Sequence, residues 1–164
     1  MTDAVEIVRA TADDAAFLRA MSYEAMYWEP DVPRPGLVAG LSEDHLSRYV
    51  EGWGRAGDDA VIARDEEIRL GAAWLRLFSA DRQGYGFIDE STPELGIAVV
   101  GERRRRGLGR KLLDSLLRLA GEAGHATVSL SVSERNVPAL TLYETAGFER
   151  VTLAGDSWTM LRRL

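Results

Sequence analysis

Residues 96–113, GIAVVGERRRRGLGRKLL, carry the most specific pattern of the 164-residue chain. An apolar segment that predicts a strand runs through a short turn into a helix that opens at Gly107-Leu108-Gly109. A helix N-terminus offers free N–H groups and the positive end of the helix dipole, and glycine lets the backbone approach a ligand closely. The arginines at 103–106 and 110 add positive charge. The stretch therefore predicts a polyphosphate site.

Three other motifs fit this stretch less well. A dinucleotide fingerprint needs a third glycine where Leu112 stands, and a Walker A loop needs a GK[ST] triplet that the chain lacks. A nucleic-acid patch built on the four consecutive arginines would have no second basic cluster beside it, in a chain of net charge −6. We therefore expect no nucleic-acid partner.

Length and composition limit the class of protein. A chain that is 46% apolar and 28% charged is typical of one compact domain, here 1–164. No apolar run approaches the ~18 residues that span a bilayer, and the N-terminal residues lack a signal-peptide pattern, so a cytoplasmic protein without a membrane partner is expected. The chain has no cysteine, and its two histidines, His45 and His125, lie far apart, so no metal is expected.

Charge is unevenly distributed along the chain. Residues 1–100 hold 19 acidic and 9 basic residues, a net charge of −10, whereas residues 101–164 hold 7 acidic and 11 basic residues, a net charge of +4. Such asymmetry is typical of a protein with two different partners, although solvated surface charge is the alternative explanation.

Hydrophobic periodicity and capping residues predict the order α, α, β, β, β, α, β, α, β, β, a mixed sheet flanked by helices. Helices are expected to begin at Thr11 and Ser42, with irregular chain at residues 28–40, where three prolines and two glycines lie. Leucines at helical spacing predict the helix that follows Gly107. Asn136 is predicted to cap another helix.

Two segments of the second half resemble signatures of one protein family. Arg104-Arg105-Arg106-Gly107-Leu108-Gly109 is similar to the (Q/R)xxGx(G/A) acyl-CoA signature of the GNAT superfamily of N-acetyltransferases. Beginning 27 residues after Gly109, Asn136-Val137-Pro138-Ala139-Leu140 leads into Leu142-Tyr143-Glu144-Thr145-Ala146-Gly147-Phe148, which resembles the second signature, N…A…LYe…GF. The resemblance is close over residues 94–148, and residues before them match in element order alone.

The resemblance implies an α/β (α+β) fold, a GNAT-like mixed, mostly antiparallel central sheet with helices on both faces. It implies acceptor-side helices and strands over 1–93 and an acyl-CoA-binding half over 94–164, with acetyl-CoA as donor and no metal. A strand that splays from its neighbour would bind the pantetheine arm, the turn would hold the pyrophosphate, and a cap residue would lie near the pantetheine or adenine. The residues implied for the pantetheine arm are Ile97, Ala98 and Val99. Those implied for the pyrophosphate are Arg104, Arg105, Arg106, Gly107, Leu108, Gly109 and Arg110, and the implied cap residue is Asn136.

Acetyl transfer to an amine requires proton transfer at two points. An alkyl amine, with a pKa of ~10.4, must lose a proton before it attacks, and an acid can assist the departing thiolate. By the resemblance, Tyr143 is that acid and Glu94 is the base, directly or through water; the alternatives are a packing tyrosine and a solvated carboxylate. Other members carry a glutamate where this chain has Ser131, so Glu94, Glu90 and water remain candidates for the base.

The acceptor site of this family is built largely from the N-terminal helices and the loop between them. Residues 23–31 hold three aromatic and three acidic residues, which suit a cationic amine. Tyr27, Trp28 and Glu29 are the expected contacts, unless Tyr27 and Trp28 merely cover the core. The function expected is an acyltransferase that acetylates a primary amine of a cationic small molecule or peptide by direct attack in a ternary complex. A non-catalytic acyl-CoA-binding sensor or scaffold is the alternative. Dimers are frequent in such families, which leaves a homodimer and a monomer both open as oligomeric states.

Overall fold

A seven-stranded sheet forms the centre of the computed structural model, which describes residues 4–104 and 107–164. The strand order is β1-β2-β3-β4-β5-β7-β6, and every neighbouring pair is antiparallel except β4 and β5. The mixed, mostly antiparallel sheet is therefore confirmed. The strands are β1 (Val5–Arg9), β2 (Asp59–Asp65), β3 (Ile68–Arg76), β4 (Glu94–Val99), β5 (Thr127–Ser133), β6 (Glu149–Ala154) and β7 (Ser157–Arg163).

Helices cover both faces of the sheet, as expected. Leucines of α4 pack with the inward residues of β2, β3, β4 and β5 on one face, and α1 packs with Trp74 and Ala98 on the other. Within the part of the chain that the structure describes, no helix is long and apolar enough to cross a bilayer. The helices are α1 (Ala15–Met26), α2 (Leu37–Ser42), α3 (Asp44–Val50), α4 (Leu108–Glu122) and α5 (Val137–Thr145).

The parallel strands β4 and β5 meet at a single register pair, Glu94 opposite Ser129. β4 then follows β3 along its whole length, and β5 follows β7. Since the two strands share no further pair, a gap opens between them towards the carboxyl end of β4. This is the splay that the family resemblance implies.

Two predictions about the N-terminal region were wrong, and one strand was missed. The segment 28–40, expected to be irregular, is helical from Leu37, because its last proline is Pro35 and Gly36 serves as the N-cap of α2. The strand β1 was not predicted; it is a short edge strand that pairs with β2, more than 50 residues later. Ser42 does not begin a helix, because its Oγ donates to the Val38 carbonyl 2.9 Å away, in the last turn of α2. The backbone leaves the helical conformation at Glu43 (φ −65°, ψ 133°), and α3 begins at the next residue.

A fully buried ion pair joins Arg76 at the end of β3 to Asp58, which immediately precedes β2. Arg76 donates to Asp58 from Nε (2.9 Å) and from Nη2 (2.8 Å), and both side chains are essentially inaccessible to solvent. Nη1 of Arg76 donates to the carbonyls of Arg48 (3.1 Å) and Glu51 (2.8 Å) at the C-terminal end of α3. The pair therefore fixes the position of α3 relative to the sheet.

Candidate functional site

The register of β4 determines which of its backbone groups face the gap. The N–H of Val100 donates to Leu70 on the β3 side (2.9 Å), and in an antiparallel pair the bonding direction alternates along the strand. Ala98 therefore bonds β3, whereas Ile97 and Val99 direct their N–H and C=O groups away from it. Of the three residues predicted to bind a pantetheine arm, Ile97 and Val99 therefore direct their backbone groups into the gap. The backbone N–H and C=O groups of Ala98 are bonded to β3.

The turn before α4 has the conformation that an anion site requires. Gly107 has φ +82°, in the left-handed region that favours glycine, and α4 begins at Leu108, which is buried in the core. A methyl group at Gly109 would meet Leu142 of α5 at 3.5 Å, an ordinary contact. The N–H groups of the first turn of α4 have no partner within the helix itself. Arg105 and Arg106 lie outside the described residues.

The other two arginines predicted at this turn have partners within the chain. Nε of Arg104 donates to the carbonyl of Val99 (3.1 Å), so this side chain lies over the end of β4. Arg110 is half-exposed and donates to Asp114 one turn further along α4 (2.9 Å). Each guanidinium would have to share or exchange these partners in order to bind phosphate.

Asn136 occupies the predicted helix cap at the other side of the gap. Its Oδ1 accepts from the N–H of Ala139 at 3.4 Å, with Pro138 in the first turn of α5. The capping role is confirmed, and the N–H of Asn136 is bonded to Ser133. Arg135 beside it donates to Glu29 in the loop after α1 (2.6 Å).

Tyr143 is buried on α5 and packs edge-on against Phe148, with ring centroids 5.8 Å apart. Its hydroxyl makes no hydrogen bond to any residue that the structure describes. Burial raises the pKa of Tyr143 to about 12. The phenol is therefore protonated at neutral pH and can act as a proton donor.

Glu94 is buried at the closed end of the gap, so the solvated alternative is wrong. Its Oε1 accepts from the hydroxyl of Tyr49 on α3 (2.9 Å) and from the N–H of Gly86 (3.0 Å), whereas Oε2 has no partner among the described residues. Burial raises the pKa of Glu94 to about 7, against the opposing effects of Tyr49, Gly86 and the charge of Arg48. Near neutral pH this carboxyl can both accept and release a proton.

Three residues around Glu94 were not predicted from the sequence. Tyr49 approaches from α3, and the glycines of Gly84-Tyr85-Gly86 pass over the strand ends. A methyl group at Gly84 would overlap Oε2 of Glu94, and one at Gly86 would come within 2.5 Å of the Leu130 backbone. The glycine pair was the available signal, since close approach of two backbones excludes a side chain. Glu90, the other candidate base, is exposed and accepts from the N–H of Ala80.

The predicted acceptor residues line one cleft of about 420 Å³. The cleft lies between the C-terminal end of α1 and the turn that follows β4, so it adjoins the gap. Tyr27 also places its hydroxyl 3.2 Å from Nε2 of His45 on α3. The lining residues are Met21, Glu24, Tyr27, Trp28, Glu29, Pro30, Arg34, Val100, Gly101 and Arg104.

A family model described as "Acetyltransferase (GNAT) family" matches residues 20–148. The chain belongs to this family. Among curated proteins, this GNAT chain is 33% identical over 149 residues to mycothiol acetyltransferase of Clavibacter sepedonicus, which covers 90% of the chain. It is 41% identical over 66 residues, or 40% of the chain, to the ribosomal protein bS18-alanine N-acetyltransferase of Escherichia coli. The chain spans 44% of the length of each of these two relatives.

Solved structures support the same fold. PaiA N-acetyltransferase of Thermoplasma acidophilum, in complex with coenzyme A, superimposes with a TM-score of 0.72 at 15% identity, over 98% of this chain and 99% of that one. The E. coli ribosomal-protein-S18-alanine N-acetyltransferase gives a TM-score of 0.67 at 19% identity, over 97% and 93% of the two chains. At these identities the likeness establishes the GNAT fold.

The carboxylates of the cleft are already paired with arginines. Glu24 lies 3.0 Å from Arg34 and 3.7 Å from Arg104, and Glu29 lies 2.6 Å from Arg135. The cleft therefore presents balanced charge to a ligand, which weakens the basis of the cationic-acceptor hypothesis.

A larger concavity, of about 700 Å³, lies on the opposite side of α5 and contains none of the predicted site residues. Trp158 is among its lining residues, and Arg150 lies over this ring, 5.3 Å from its centroid, while it is paired with Glu144. Size alone therefore does not identify the reaction site in this fold. The residues described form no cluster of three or more potential metal ligands.

Proposed function

We propose that this GNAT chain is an acetyl-CoA-dependent N-acetyltransferase that acetylates a primary amine by direct attack in a ternary complex. One observation carries the proposal. A buried carboxyl with a near-neutral pKa, Glu94, lies at the closed end of the gap between β4 and β5, into which the backbone groups of Ile97 and Val99 are directed.

The residues around the gap fit the donor that the family resemblance implies. The backbone groups of Ile97 and Val99 would bond the amides of the pantetheine arm. The first turn of α4, which follows Gly107, would hold the pyrophosphate. Asn136 would lie at the rim, and acetyl-CoA would supply a thioester acetyl group.

Two side chains would move the protons. Glu94 would accept one proton from the acceptor ammonium, which leaves a neutral amine whose lone pair can attack a carbonyl carbon. Tyr143 would donate its phenolic proton to the sulfur as the carbon–sulfur bond breaks, and would recover a proton from the newly acylated nitrogen. The net change is one amide and one thiol formed, and one proton released.

For the acceptor, we propose a primary amine of a small molecule or of a peptide N-terminus. The curated relatives are named for these two kinds of substrate, mycothiol and an alanine of a ribosomal protein. Tyr27 and Trp28 would contact the acceptor in the cleft. A strong preference for polycations is not part of the proposal, because Glu24 and Glu29 are already paired.

A panel of amines tests the proposal. The purified protein is incubated with acetyl-CoA and an alanine-initiated hexapeptide, cysteamine, spermidine or glutamate, and the acetylated product is measured by mass spectrometry because a thiol acceptor would interfere with a thiol reagent. We expect transfer to at least one amine. Glu94→Gln and Tyr143→Phe should each lower kcat by about 100-fold or more with little change in the KM for acetyl-CoA.

The matched control is Glu90→Gln, which removes an exposed carboxylate close to Glu94 in sequence and should leave kcat unchanged. A thermal shift with acetyl-CoA but no transfer to any amine would instead favour the non-catalytic acyl-CoA-binding module. If acetyl-CoA produced no thermal shift and no amine were acetylated, both functions would be rejected.

A further inference from the structure

Two buried polar atoms without partners lie at the closed end of the gap. They are Oε2 of Glu94 and Oγ of Ser129, and each is unbonded among the described residues. Glu94 and Ser129 form the one register pair between β4 and β5, so their side chains project from the same face of adjacent strands. Buried polar atoms are nearly always bonded to protein or to ordered water, so two such atoms together indicate a water site.

The neighbouring loop limits what else could occupy this place. Gly84 lies against Oε2 of Glu94, and Gly86 lies against the backbone of Leu130. A single methyl group on either glycine would overlap these atoms, so neither position can carry a side chain. A water molecule needs only a small polar space, and here it would find two polar partners.

The other oxygen of Glu94 is fully used as an acceptor. Oε1 accepts from the N–H of Gly86 and from the hydroxyl of Tyr49. The Tyr49 hydroxyl donates the second of these bonds, and its oxygen accepts from the N–H of Tyr85 at 2.7 Å. Burial and the charge of Glu94 hold the pKa of Tyr49 well above its usual value, so the phenol keeps its proton. An exchangeable proton of Glu94 must therefore reside on Oε2, the oxygen that lies beside Gly84.

We propose that Tyr49 and Ser129 are positioning residues for Glu94: Tyr49 confines its exchangeable proton to Oε2, and Ser129 holds, together with Oε2, one water that relays this proton. The inference rests on the proposed acetyl transfer. In the relay, the water takes one proton from the acceptor ammonium and gives one of its own to Oε2. The water is unchanged, the amine becomes neutral, and Glu94 becomes a carboxylic acid that later returns the proton by the same path.

Few charged groups face Glu94 from the elements around it. Arg48 and Tyr49 approach from α3, and Tyr85 from the loop. Arg76 is the cross-strand neighbour on β3, but its guanidinium is committed to Asp58. On β5 the facing residue is the uncharged Ser129. The titration of Glu94 should consequently respond to Tyr49 and Ser129.

Carboxyl ¹³C NMR of glutamate-labelled protein tests the proposal without any need for activity, with Glu94→Gln to assign the resonance. Wild-type Glu94 should titrate near pH 7. Tyr49→Phe should raise this midpoint by about one pH unit and Ser129→Ala by about half a unit, because each removes support for the ionised form. Tyr23→Phe and Ser22→Ala alter a buried tyrosine and a buried serine on α1, and should leave the midpoint within about 0.2 units.

A purely structural role of Ser129 predicts a different result. Removing an unbonded buried hydroxyl would then leave the titration unchanged and could even stabilise the fold. An unchanged midpoint in both variants would overturn the proposal, and an unchanged midpoint in one variant would remove that residue from it. Ser129→Ala removes a single atom, so it serves as the second variant if Tyr49→Phe does not fold.

The pH profile of kcat separates this inference from the proposed function. With an active acceptor, kcat should rise through the midpoint of Glu94, and this limb should move to higher pH in both variants. The plateau at high pH should be kept in Tyr49→Phe and should fall in Ser129→Ala, which loses one of the two groups that hold the relay water. Shifted NMR midpoints without transfer to any amine would reject the acetyltransferase function and leave the hydrogen-bond arrangement standing. If acetyl transfer occurs but the rise of kcat falls at the same pH in both variants as in wild type, the positioning role is rejected and the acetyltransferase function is kept.

Discussion

Removal of one carboxylate from the buried pair of Asp58 and Arg76 should cost the protein a large part of its stability. In Asp58→Ala, Arg76 would keep its bonds to the carbonyls of Arg48 and Glu51 but would lose both bonds to the carboxylate. Asp58 also accepts from the N–H groups of Gly54 and Arg55, and these bonds would be lost as well. A buried guanidinium without a counter-ion would remain.

The size of the effect follows from burial. Both side chains are at most 1% exposed, so water cannot replace the lost partner without opening the structure. Breaking such a pair from one side typically costs about 3–5 kcal/mol. For a domain of this length, each kcal/mol lowers the Tm by roughly 2–4 °C, so a decrease of about 6–20 °C is expected.

Urea and thermal unfolding followed by circular dichroism would measure this change. Asp114→Ala is the control, because it breaks the exposed pair with Arg110 and should cost less than about 0.5 kcal/mol. The double variant Asp58→Leu with Arg76→Met should be more stable than Asp58→Ala, since it removes the buried charge as well. A loss below about 1 kcal/mol in Asp58→Ala would refute the reasoning, because such a value is typical of a solvated pair.

Three further predictions concern the site. Gly107→Ala forces an L-residue to φ +82° in open space, so it should cost about 1–2 kcal/mol of stability and raise the Kd for acetyl-CoA, as measured by unfolding and by calorimetry; an unchanged Kd would separate this turn from donor binding. The folded-state pKa of Glu94 lies above its ordinary value of 4.5, so its contribution to stability is present below pH 4.5 and is lost as the pH rises to about 7. Glu94→Gln should therefore gain about 3 kcal/mol relative to wild type between pH 4.5 and 8 in urea titrations, and a pH-independent difference would contradict the burial argument. Glu29→Gln should change the KM for spermidine by less than about twofold, because Arg135 already binds Glu29, and a tenfold increase would restore the cationic-acceptor interpretation.

The parts of the fold that could be predicted are those whose signals are local. The helix after Gly107 and the cap at Asn136 depend on residues within a few positions of one another, and both occur where expected. The strand β1 depends instead on pairing with β2 across more than 50 residues, and its five residues are too few to show a period. Local sequence could not place Ser42 either, because the break at Glu43 divides one apparent helix into two.

The residues of the candidate site also divide into those with a local sequence signal and those whose role depends on distant residues. The glycines and Tyr143 could be identified from their motifs, but the burial of Glu94 is produced by Tyr49, 45 residues earlier, and by the loop at Gly86. Local sequence favours a solvated carboxylate at a strand end after a proline, because the neighbours that bury it are distant along the chain. Its ability to exchange a proton near neutral pH is therefore a property of the tertiary structure.

The uneven charge along the sequence has, in part, an internal role. Glu24 and Glu29 belong to the acidic part of the chain, residues 1–100, whereas their partners Arg104 and Arg135 belong to the basic part. The pair of Glu24 and Arg104 joins α1 to the turn after β4, on one side of the gap. The pair of Glu29 and Arg135 joins the loop after α1 to the loop before α5, on the other side. Exposed pairs of this kind contribute only about 0–1 kcal/mol each, so they can open at little cost. An anionic donor that binds Arg104 would compete with Glu24, which would then keep only its closer pair with Arg34. The acceptor cleft would therefore become more negative once the donor is bound.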